Sequence, residues 1–391
     1  MRFIHTADIH LDACFSSTGM PPDYANRRRQ GLRDVFHDII VRAREWPADA
    51  LLIAGDLFDI DRVTRDTLAF LRTEFDAISP LPVFIAPGNH DPCTPSSPYL
   101  TERWPDNVVI FRTPQWQAHA LADKNCVVHG FGFDAFEPTS NPFGDLQFLE
   151  DGLLHVAVAH GSERTHQPPD SKTYAPFDAA CMNVPGLAYL ALGHFHALTD
   201  IAGHFTTRMA YSGAPEGHDF SETGPRHYLE IEICDGAVTI APVPSARVVY
   251  TTRAIDCSGF ESSQALVDAL RAVAVNCEVR QVARIRLTGT CPASLESELP
   301  AAYEAVVPLF EYLDLLDETE SPEDYEKLAR ETTGLGTFVR QMNEEIADAP
   351  DVERYALLKR VREVGLAAYT NQKLAIRGLD VTGPVFTGRR A

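Results

Sequence analysis

The sequence predicts an α/β sandwich flanked by helices, followed by a small α+β unit and C-terminal helices. Three observations support this fold class: short apolar runs alternate with helical patterns, a polar cluster ends each run, and the pattern changes near residue 250. Apolar runs of this length indicate buried strands, and strands that alternate with helices are typical of α/β folds. The predicted strands are Arg2–Ala7, Ala50–Ala54, Pro82–Ala86, Leu154–Ala159 and Leu187–Leu192.

Two helices are predicted between the first three strands. The first has an apolar face at helical spacing, and the second runs from about Val63 to Phe75. A hairpin is predicted at His227–Val243, with Asp235 and Gly236 as its tight turn. The apolar face of the first helix consists of Leu32, Val35, Phe36, Ile39, Ile40 and Ala43.

The pattern after Pro244 predicts two further regions. A strand at Thr251–Asp256, a helix at Ser263–Ala274 and an alternating strand around Ile285 form a small α+β unit. Helical spacing then returns in two stretches, about Glu323–Ala347 and Asp351–Tyr369. We therefore divide the chain into three regions, residues 1–250, 251–320 and 321–391.

The composition is that of a globular protein with no membrane association. The 391 residues carry a net charge of −21, which argues against a protein that wraps nucleic acid with its whole surface. No apolar run is long enough to cross a bilayer, and no signal peptide precedes Phe3. The eight cysteines contain no CxxC pair, which indicates reduced thiols. We therefore expect a cytoplasmic location.

Polar clusters rich in histidine and carboxylate follow the five predicted strands. They offer nitrogen and oxygen ligands and no sulfur, a donor set that suits Mn²⁺, Fe²⁺ or Zn²⁺. Ligands of open α/β sheets collect at the carboxyl ends of the strands. One cluster alone is weak, because an isolated Asp-x-His is usually without function, but five in this order are hard to obtain by chance. The clusters are Asp8-Ile9-His10, Gly55–Asp59, Gly88–Asp91, His160-Gly161 and Gly193–His196.

This ordered set resembles the calcineurin-like metallophosphoesterases, whose fold is a β-sandwich flanked by helices. The sequences of three motifs are similar to those of the SbcD-type DNA-repair nucleases: Thr6–Leu11, Gly55–Asp59 and Ala191–His196. The segments Tyr174–Phe177 and Tyr211–Glu216 resemble the YhaO-like bacterial branch of that group. The resemblance covers about residues 1–225 and is only architectural beyond them.

The resemblance implies two divalent metal ions, with Mn²⁺ as the expected ion. Asp56 would bridge the two ions, and a water activated by them would attack the phosphorus. The first ion would be held by Asp8, His10 and His196, and the second by Asn89, His160 and His194.

The resemblance also implies catalytic residues that bind no metal. His90 would protonate the leaving oxygen or stabilise charge on the phosphorane, and Asp91 would orient and charge the His90 ring. Relatives outside bacteria have a histidine at the position of Asp59, so we expect Asp59 to support its neighbours. His218 is expected in a polar loop, with a place in the substrate groove as the alternative. The residues that bind substrate are not indicated.

The leading functional hypothesis is a metal-dependent DNA exonuclease of repair or end processing, with endonuclease activity left open. In the family such a subunit works with an SbcC-like ATPase of the SMC class and often dimerises. By this resemblance, residues 251–320 would cap the nuclease domain, and the C-terminal helices would dock on the ATPase. The alternative is a phosphatase or cyclic-nucleotide phosphodiesterase that acts on a small phosphate ester. A catalytically idle scaffold is a third hypothesis, which the complete ligand set disfavours.

Overall fold

The computed structural model describes residues 1–15, 22–138, 146, 151–168, 172–201, 203–275, 279–291, 298–319 and 325–369. The chain divides into two compact units, Met1–Val249 and Tyr250–Ala391. The predicted boundary at residue 320 stays a prediction. Residues 370–391 of the predicted C-terminal region, and residues 323–324 of its first helical stretch, lie outside the described part.

Strands and helices alternate through the first unit and continue in the second. The strands are β1 Arg2–Thr6, β2 Ala50–Ile53, β3 Val83–Ile85, β4 Val108–Ile110, β5 Gln117–Leu121, β6 Cys126–Phe131, β7 Leu154–His160, β8 Leu187–Gly193, β9 Thr199–Asp200, β10 Arg208–Tyr211, β11 His227–Cys234, β12 Ala237–Pro244, β13 Val248–Asp256, β14 Arg280–Thr288 and β15 Tyr312–Asp317. The helices are α1 Pro22–Glu45, α2 Arg65–Ala77, α3 Pro98–Thr101, α4 Ser263–Val275, α5 Leu299–Val306, α6 Tyr325–Ala329, α7 Gly334–Ala347 and α8 Val352–Tyr369.

Two sheets form the first unit. In the described residues, the first sheet has the order β12-β11-β1-β2-β3-β4 and the second has the order β5-β6-β7-β8-β10-β9. Strands β1 to β4 are parallel, as are β6, β7, β8 and β10, so the carboxyl ends in each set share one edge. The five predicted strands are confirmed as β1, β2, β3, β7 and β8, and the predicted hairpin as β11 and β12. Strands β4, β5, β9 and β10 were not predicted, because they are short or lie at the edge of a sheet.

Apolar side chains fill three layers of this unit. Helices α1 and α2 cover one face of the first sheet, where Phe36 and Phe75 are fully buried. Alternate side chains point to opposite faces of a strand, so Phe3 and Phe84 instead face the second sheet and pack with its Val156. A third layer covers the outer face of the second sheet. The predicted α/β sandwich is therefore confirmed.

The two sheets approach each other closely at one point. A Cβ at Gly193, the last residue of β8, would overlap the carbonyl oxygen of Ala54 and lie 2.8 Å from Cβ of Ala7. Only glycine allows the backbones to come this near. The ends of β1, β2 and β8 therefore meet, and the polar residues that follow them share one region.

The second unit contains the sheet β13-β14-β15, with helices α4 and α5 packed on it. Leu266 and Leu270 of α4 are buried with Ile285 of β14 and Leu315 of β15. The predicted strand, helix and strand are confirmed as β13, α4 and β14, whereas α5 and β15 were missed. Helices α7 and α8 confirm helical structure in the later stretches. In the described residues, no helix is long and apolar enough to span a bilayer.

Candidate metal centre

The predicted ligand residues of the two sheets converge where the carboxyl ends of their parallel strands meet. One ligand atom each from Asp8, His10 and His196 lies within 4.8 Å of the others, and the same holds for Asp8, Asp56 and His160. The structure therefore brings residues from β1, β2, β7 and β8 into one centre, as the strand-end clusters predicted.

The second predicted ligand set lies beside the first. His160 Nε2 is 3.0 Å from Asn89 Oδ1, and the His160 and His194 ring centroids are 5.3 Å apart. Asp56 lies between the two sets, because its Oδ2 is 3.7 Å from His10 Nε2 and 3.4 Å from His160 Nε2. This is the geometry expected of a carboxylate shared by two cations.

Four of these residues have strained backbones. The φ angles of Asp8, His10, Asp56 and His194 are 54°, 49°, 51° and 112°. Residues other than glycine rarely adopt such values, at a cost of roughly 1–3 kcal/mol each, and such strain concentrates at functional sites. Hydrogen bonds from Asp8 N to Gly55 O and from His10 N to Asp56 O, both 3.0 Å, hold the two loops in this form.

One ring nitrogen of each predicted ligand histidine faces an oxygen acceptor outside the centre. Such partners fix the tautomer and direct the other nitrogen toward a metal. The pairs are His10 Nδ1 with Asp59 Oδ1 at 2.8 Å, His160 Nδ1 with Ala54 O at 2.9 Å, His196 Nδ1 with Glu222 Oε1 at 2.6 Å, and His194 Nε2 with Lys172 O at 3.2 Å.

The side chains fit divalent cations. His10 Nε2 is buried and has no hydrogen-bond partner among the described residues, although it faces the Asp56 carboxylate. A buried nitrogen of this kind costs free energy unless something binds it. Imidazole, carboxylate and carboxamide donors without sulfur suit Mn²⁺, Fe²⁺ or Zn²⁺.

The charges of the centre also favour cations. Burial opposes ionisation of Asp56, but the imidazoles of His160 and His10 outweigh it and lower its pKa to about 2. Burial lowers the pKa of His196, yet the Glu222 carboxylate raises it to about 9. Asp56 and Glu222 thus keep their own charge and Glu222 attracts a proton to a nearby ring, whereas burial raises the pKa of Asp8. The same field attracts a metal ion.

His90 stands at the open side of the centre. Its side chain is 50% exposed, and its Nδ1 lies 3.2 Å from Asp59 Oδ1. This hydrogen bond raises the pKa of His90 to about 9 against the opposing effect of burial. Asp59 Oδ1 therefore supports both His10 and His90, in agreement with the supporting role expected for it.

Only part of the sequence prediction for Asp91 holds, because its charge helps to raise the pKa of His90 but it does not orient the His90 ring through a described hydrogen bond. The buried carboxylate of Asp91 instead accepts hydrogen bonds that fix two loops, and none of the described hydrogen bonds joins it to His90. Burial and the nearby Asp56 raise its pKa to about 6. Its donors are Asp56 N at 3.1 Å, Leu57 N at 2.8 Å, Gly88 N at 2.7 Å and Tyr99 Oη at 2.7 Å.

Two residues of the centre were missed or undervalued from sequence. Glu222 contacts His196, and its other oxygen lies 3.2 Å from His218 Nδ1. The His218 ring lies 5.2 Å from that of His10, whereas the sequence left a place in the substrate groove only as the alternative. Neither residue follows a predicted strand, so no spacing in the sequence identifies them.

The amino-terminal part of the chain also matches a known family. The model of the calcineurin-like phosphoesterases matches residues 1–198. The chain belongs to this family. The family resemblance inferred from the motifs is therefore confirmed, and the chain is a metal-using phosphoesterase of the hydrolase class.

The similar proteins place this phosphoesterase in the predicted branch. It is 25% identical over 334 residues to the uncharacterized metallophosphoesterase YhaO of Bacillus subtilis, a match that covers 83% of this chain and 79% of that protein. It is 27% identical to the DNA double-strand break repair protein Mre11 of Methanosarcina acetivorans, over 66% of this chain and 41% of that protein. The corresponding Mre11 of Halobacterium salinarum is 28% identical, over 61% of this chain and 58% of that protein.

The same phosphoesterase resembles solved structures more distantly. A dimetal phosphatase from Danio rerio matches it with a TM-score of 0.43 and 11% identity, over 63% of this chain and 96% of that chain.

Proposed function

We propose that this protein is a metal-dependent DNA phosphodiesterase, an exonuclease that processes DNA ends. The observation that carries the proposal is a shared carboxylate, Asp56, between two sets of nitrogen and oxygen ligands, with the exposed ring of His90 beside them. Two relatives are named as DNA double-strand break repair proteins, which supports DNA as the substrate. The chain spans 41% and 58% of their lengths.

In this proposal, the side chains divide into two metal sites that share Asp56. Mn²⁺ is the ion we propose, because the resemblance to the SbcD-type nucleases implies it and nitrogen and oxygen donors suit it. When bound, two divalent ions would polarise the phosphoryl oxygens and activate a water for attack. One site consists of Asp8, His10 and His196, and the other of Asn89, His160 and His194.

His90 supplies acid catalysis in this proposal. Its ring is exposed enough to reach a bound phosphate, while Asp59 holds its Nδ1. The other ring nitrogen, Nε2, would donate a hydrogen bond or proton to the leaving oxygen as the ester bond breaks. Asp91 supports this chemistry from a distance, because it fixes the loops that carry Asp56 and His90.

The test is a comparison of substrates with one metal. Chelator-treated protein is incubated with Mn²⁺ and end-labelled linear single- or double-stranded DNA, and separately with small phosphate mono- and diesters. We expect DNA to be shortened from its ends, and the Asp56→Asn variant to be inactive on every substrate. Intact DNA together with rapid turnover of small esters would contradict the DNA proposal and favour the small-molecule alternative.

We further propose that residues 251–320 form a capping domain and that residues 321–391 dock on an SbcC-like ATPase. Leu357 and Val361, one turn apart on α8, are 49% and 43% exposed, and an apolar strip of this kind suits a partner helix. The Leu357→Glu and Val361→Glu variants should lose association with the ATPase but keep Mn²⁺ binding. The Leu309→Glu variant is a matched control, because Leu309 is 44% exposed outside this strip.

A cytoplasmic location is also part of the proposal. The described cysteines form no disulfide with one another, and the thiols of Cys93, Cys126 and Cys257 are buried. Free thiols are typical of reducing compartments. Fractionation of cells that produce the protein should place it with cytoplasmic markers; recovery with envelope markers would contradict this location.

A further inference from the structure

Glu222 lies outside every predicted cluster, in the loop between β10 and β11. Its side chain is 11% exposed, and both carboxylate oxygens are engaged. Oε1 is 2.6 Å from His196 Nδ1, while Oε2 accepts from His218 N at 3.1 Å and lies 3.2 Å from His218 Nδ1. The carboxylate therefore contacts two residues, His196 and His218, and His196 is a proposed metal ligand.

The same loop holds the backbone of His196. Arg226 donates from Nη1 to the carbonyl oxygen of His196 at 2.7 Å, and Ala214 N donates to this oxygen at 3.1 Å. With the backbone fixed, the direction of the His196 imidazole depends on what its Nδ1 contacts. That contact is Glu222.

The two proposed metal sites differ in the partners of their histidines. In the site of Asp8, the ring partners are the carboxylates of Asp59 and Glu222. In the site of Asn89, the partners are the backbone carbonyls of Ala54 and Lys172. A carboxylate forms a stronger, charge-assisted hydrogen bond than a carbonyl and makes the imidazole a better donor to a metal.

We propose that Glu222 is a positioning residue that sets the metal affinity of the site of Asp8, His10 and His196. This inference rests on the proposed metal-dependent function. Through Glu222 and Asp59, this site binds its ion more tightly than the site of Asn89, His160 and His194. Loss of the Glu222 charge weakens the binding of one of the two ions and leaves the binding of the other unchanged.

Calorimetric titration of chelator-treated full-length protein with Mn²⁺ tests this directly. We expect two binding events of unequal affinity in the unsubstituted protein. In the Glu222→Gln variant the affinity of the tighter binding event should fall by roughly 10- to 100-fold, the usual effect of removing such a hydrogen-bond partner. In the His160→Gln background the remaining event should show the same weakening, which assigns it to the His196 site.

Glu74→Gln is the matched control. The Glu74 side chain is also 11% exposed and lies 2.9 Å from a histidine nitrogen, Nδ1 of His37, on the helical side of the first sheet. This variant should bind both ions with the affinities of the unsubstituted protein. Equal weakening in Glu74→Gln and Glu222→Gln would overturn the inference, because it would show a general effect of Glu–His pairs.

The Glu222→Asp variant provides a second measurement if the Gln variant does not fold. It keeps the charge with a shorter reach, so we expect a smaller weakening of the same ion. Unchanged affinities in the Gln variant, or in the Asp variant where only that one folds, would overturn the inference and leave the proposed function intact. Absence of Mn²⁺ binding by the unsubstituted protein would overturn both.

Discussion

The two sheets of the first unit contribute to the candidate centre in different ways. The loops after β1, β2 and β3 support one another, since Asp59 and Asp91 belong to these strand-end clusters and each contacts a residue of a neighbouring cluster, His10 and Asp56. The residues after β7 and β8 are supported by segments outside the clusters, because Lys172 and Glu222 contact His194 and His196 from other loops. The difference teaches that one half of the site is supported from within the strand-end clusters, whereas the other half is supported by loops that follow no predicted strand.

The largest expected effect comes from Asp56, where the two halves join. Asp56→Asn removes the charge shared by both ligand sets, so both ions should be lost. Because a metal ion supplies several kcal/mol of transition-state stabilisation, activity should fall on the order of 10³-fold or more. Metal content measured by mass spectrometry and phosphodiester hydrolysis check this. Asp61→Asn, at an exposed position of the same loop, should behave like the unsubstituted protein.

His90→Ala separates catalysis from metal binding in the first sheet. The ring faces solvent and Asp59 but belongs to neither ligand set, so both ions should remain. Loss of a general acid costs about 10²- to 10⁴-fold in rate. The variant is measured by kcat with labelled DNA and by Mn²⁺ titration, with His37→Ala as the control histidine. Loss of a metal ion from the His90 variant would show that His90 is a ligand.

Asp91→Ala tests whether the loops after β2 and β3 depend on one buried carboxylate. The change leaves the N–H groups of Asp56, Leu57 and Gly88 without their acceptor. Each unsatisfied buried donor costs about 1–3 kcal/mol, so we expect the free energy of unfolding to fall by about 3 kcal/mol or more. Denaturant unfolding of the chelator-treated protein measures it. A loss below about 1 kcal/mol would contradict this role.

Tyr211→Phe makes the corresponding test of the residues that follow β7, which are supported from outside the strand-end clusters. The Tyr211 hydroxyl, from β10, donates to Gly161 O at 2.7 Å and accepts from Glu163 N at 2.9 Å, which fixes the turn after His160. Its loss should cost about 1–2 kcal/mol, less than in the Asp91 variant because fewer groups lose a partner. Denaturant unfolding compares the two variants under one condition. An equal or larger loss in Tyr211→Phe would contradict the comparison.

His5 joins the two sheets and makes their association sensitive to acid. Its Nδ1 lies 2.8 Å from Tyr189 Oη and its Nε2 lies 3.2 Å from Leu192 O, both in β8. Burial lowers the pKa of His5 to about 3, so the unfolded chain binds the extra proton between about pH 6.5 and 3. Stability is therefore lost as the pH falls through this range, by about 2 kcal/mol at pH 5. The unfolding free energy of His5→Gln, followed against pH, should lack this loss.

The sequence predicted which side chains converge better than it predicted the contacts that support them. Asp8, Asp56 and His160 follow strongly apolar strands, so a periodic pattern places them at one sheet edge before any contact is known. The predicted contact of Asp91 with the His90 ring is wrong because neighbours along the chain need not touch, and its carboxylate turns inward to backbone N–H groups. Glu222 was missed because nothing in a polar loop indicates which buried ring it will meet. Contacts of this kind are set by tertiary structure.

The strained backbone at Asp8, His10, Asp56 and His194 has a consequence for how such a protein can change. Each position has a φ angle that glycine adopts without strain, so exchange for glycine would relax the local conformation while it removed a ligand. Relief of this strain would therefore come only with loss of the centre at these positions. An unstrained backbone and a complete set of donor side chains are thus in direct competition at the strand ends.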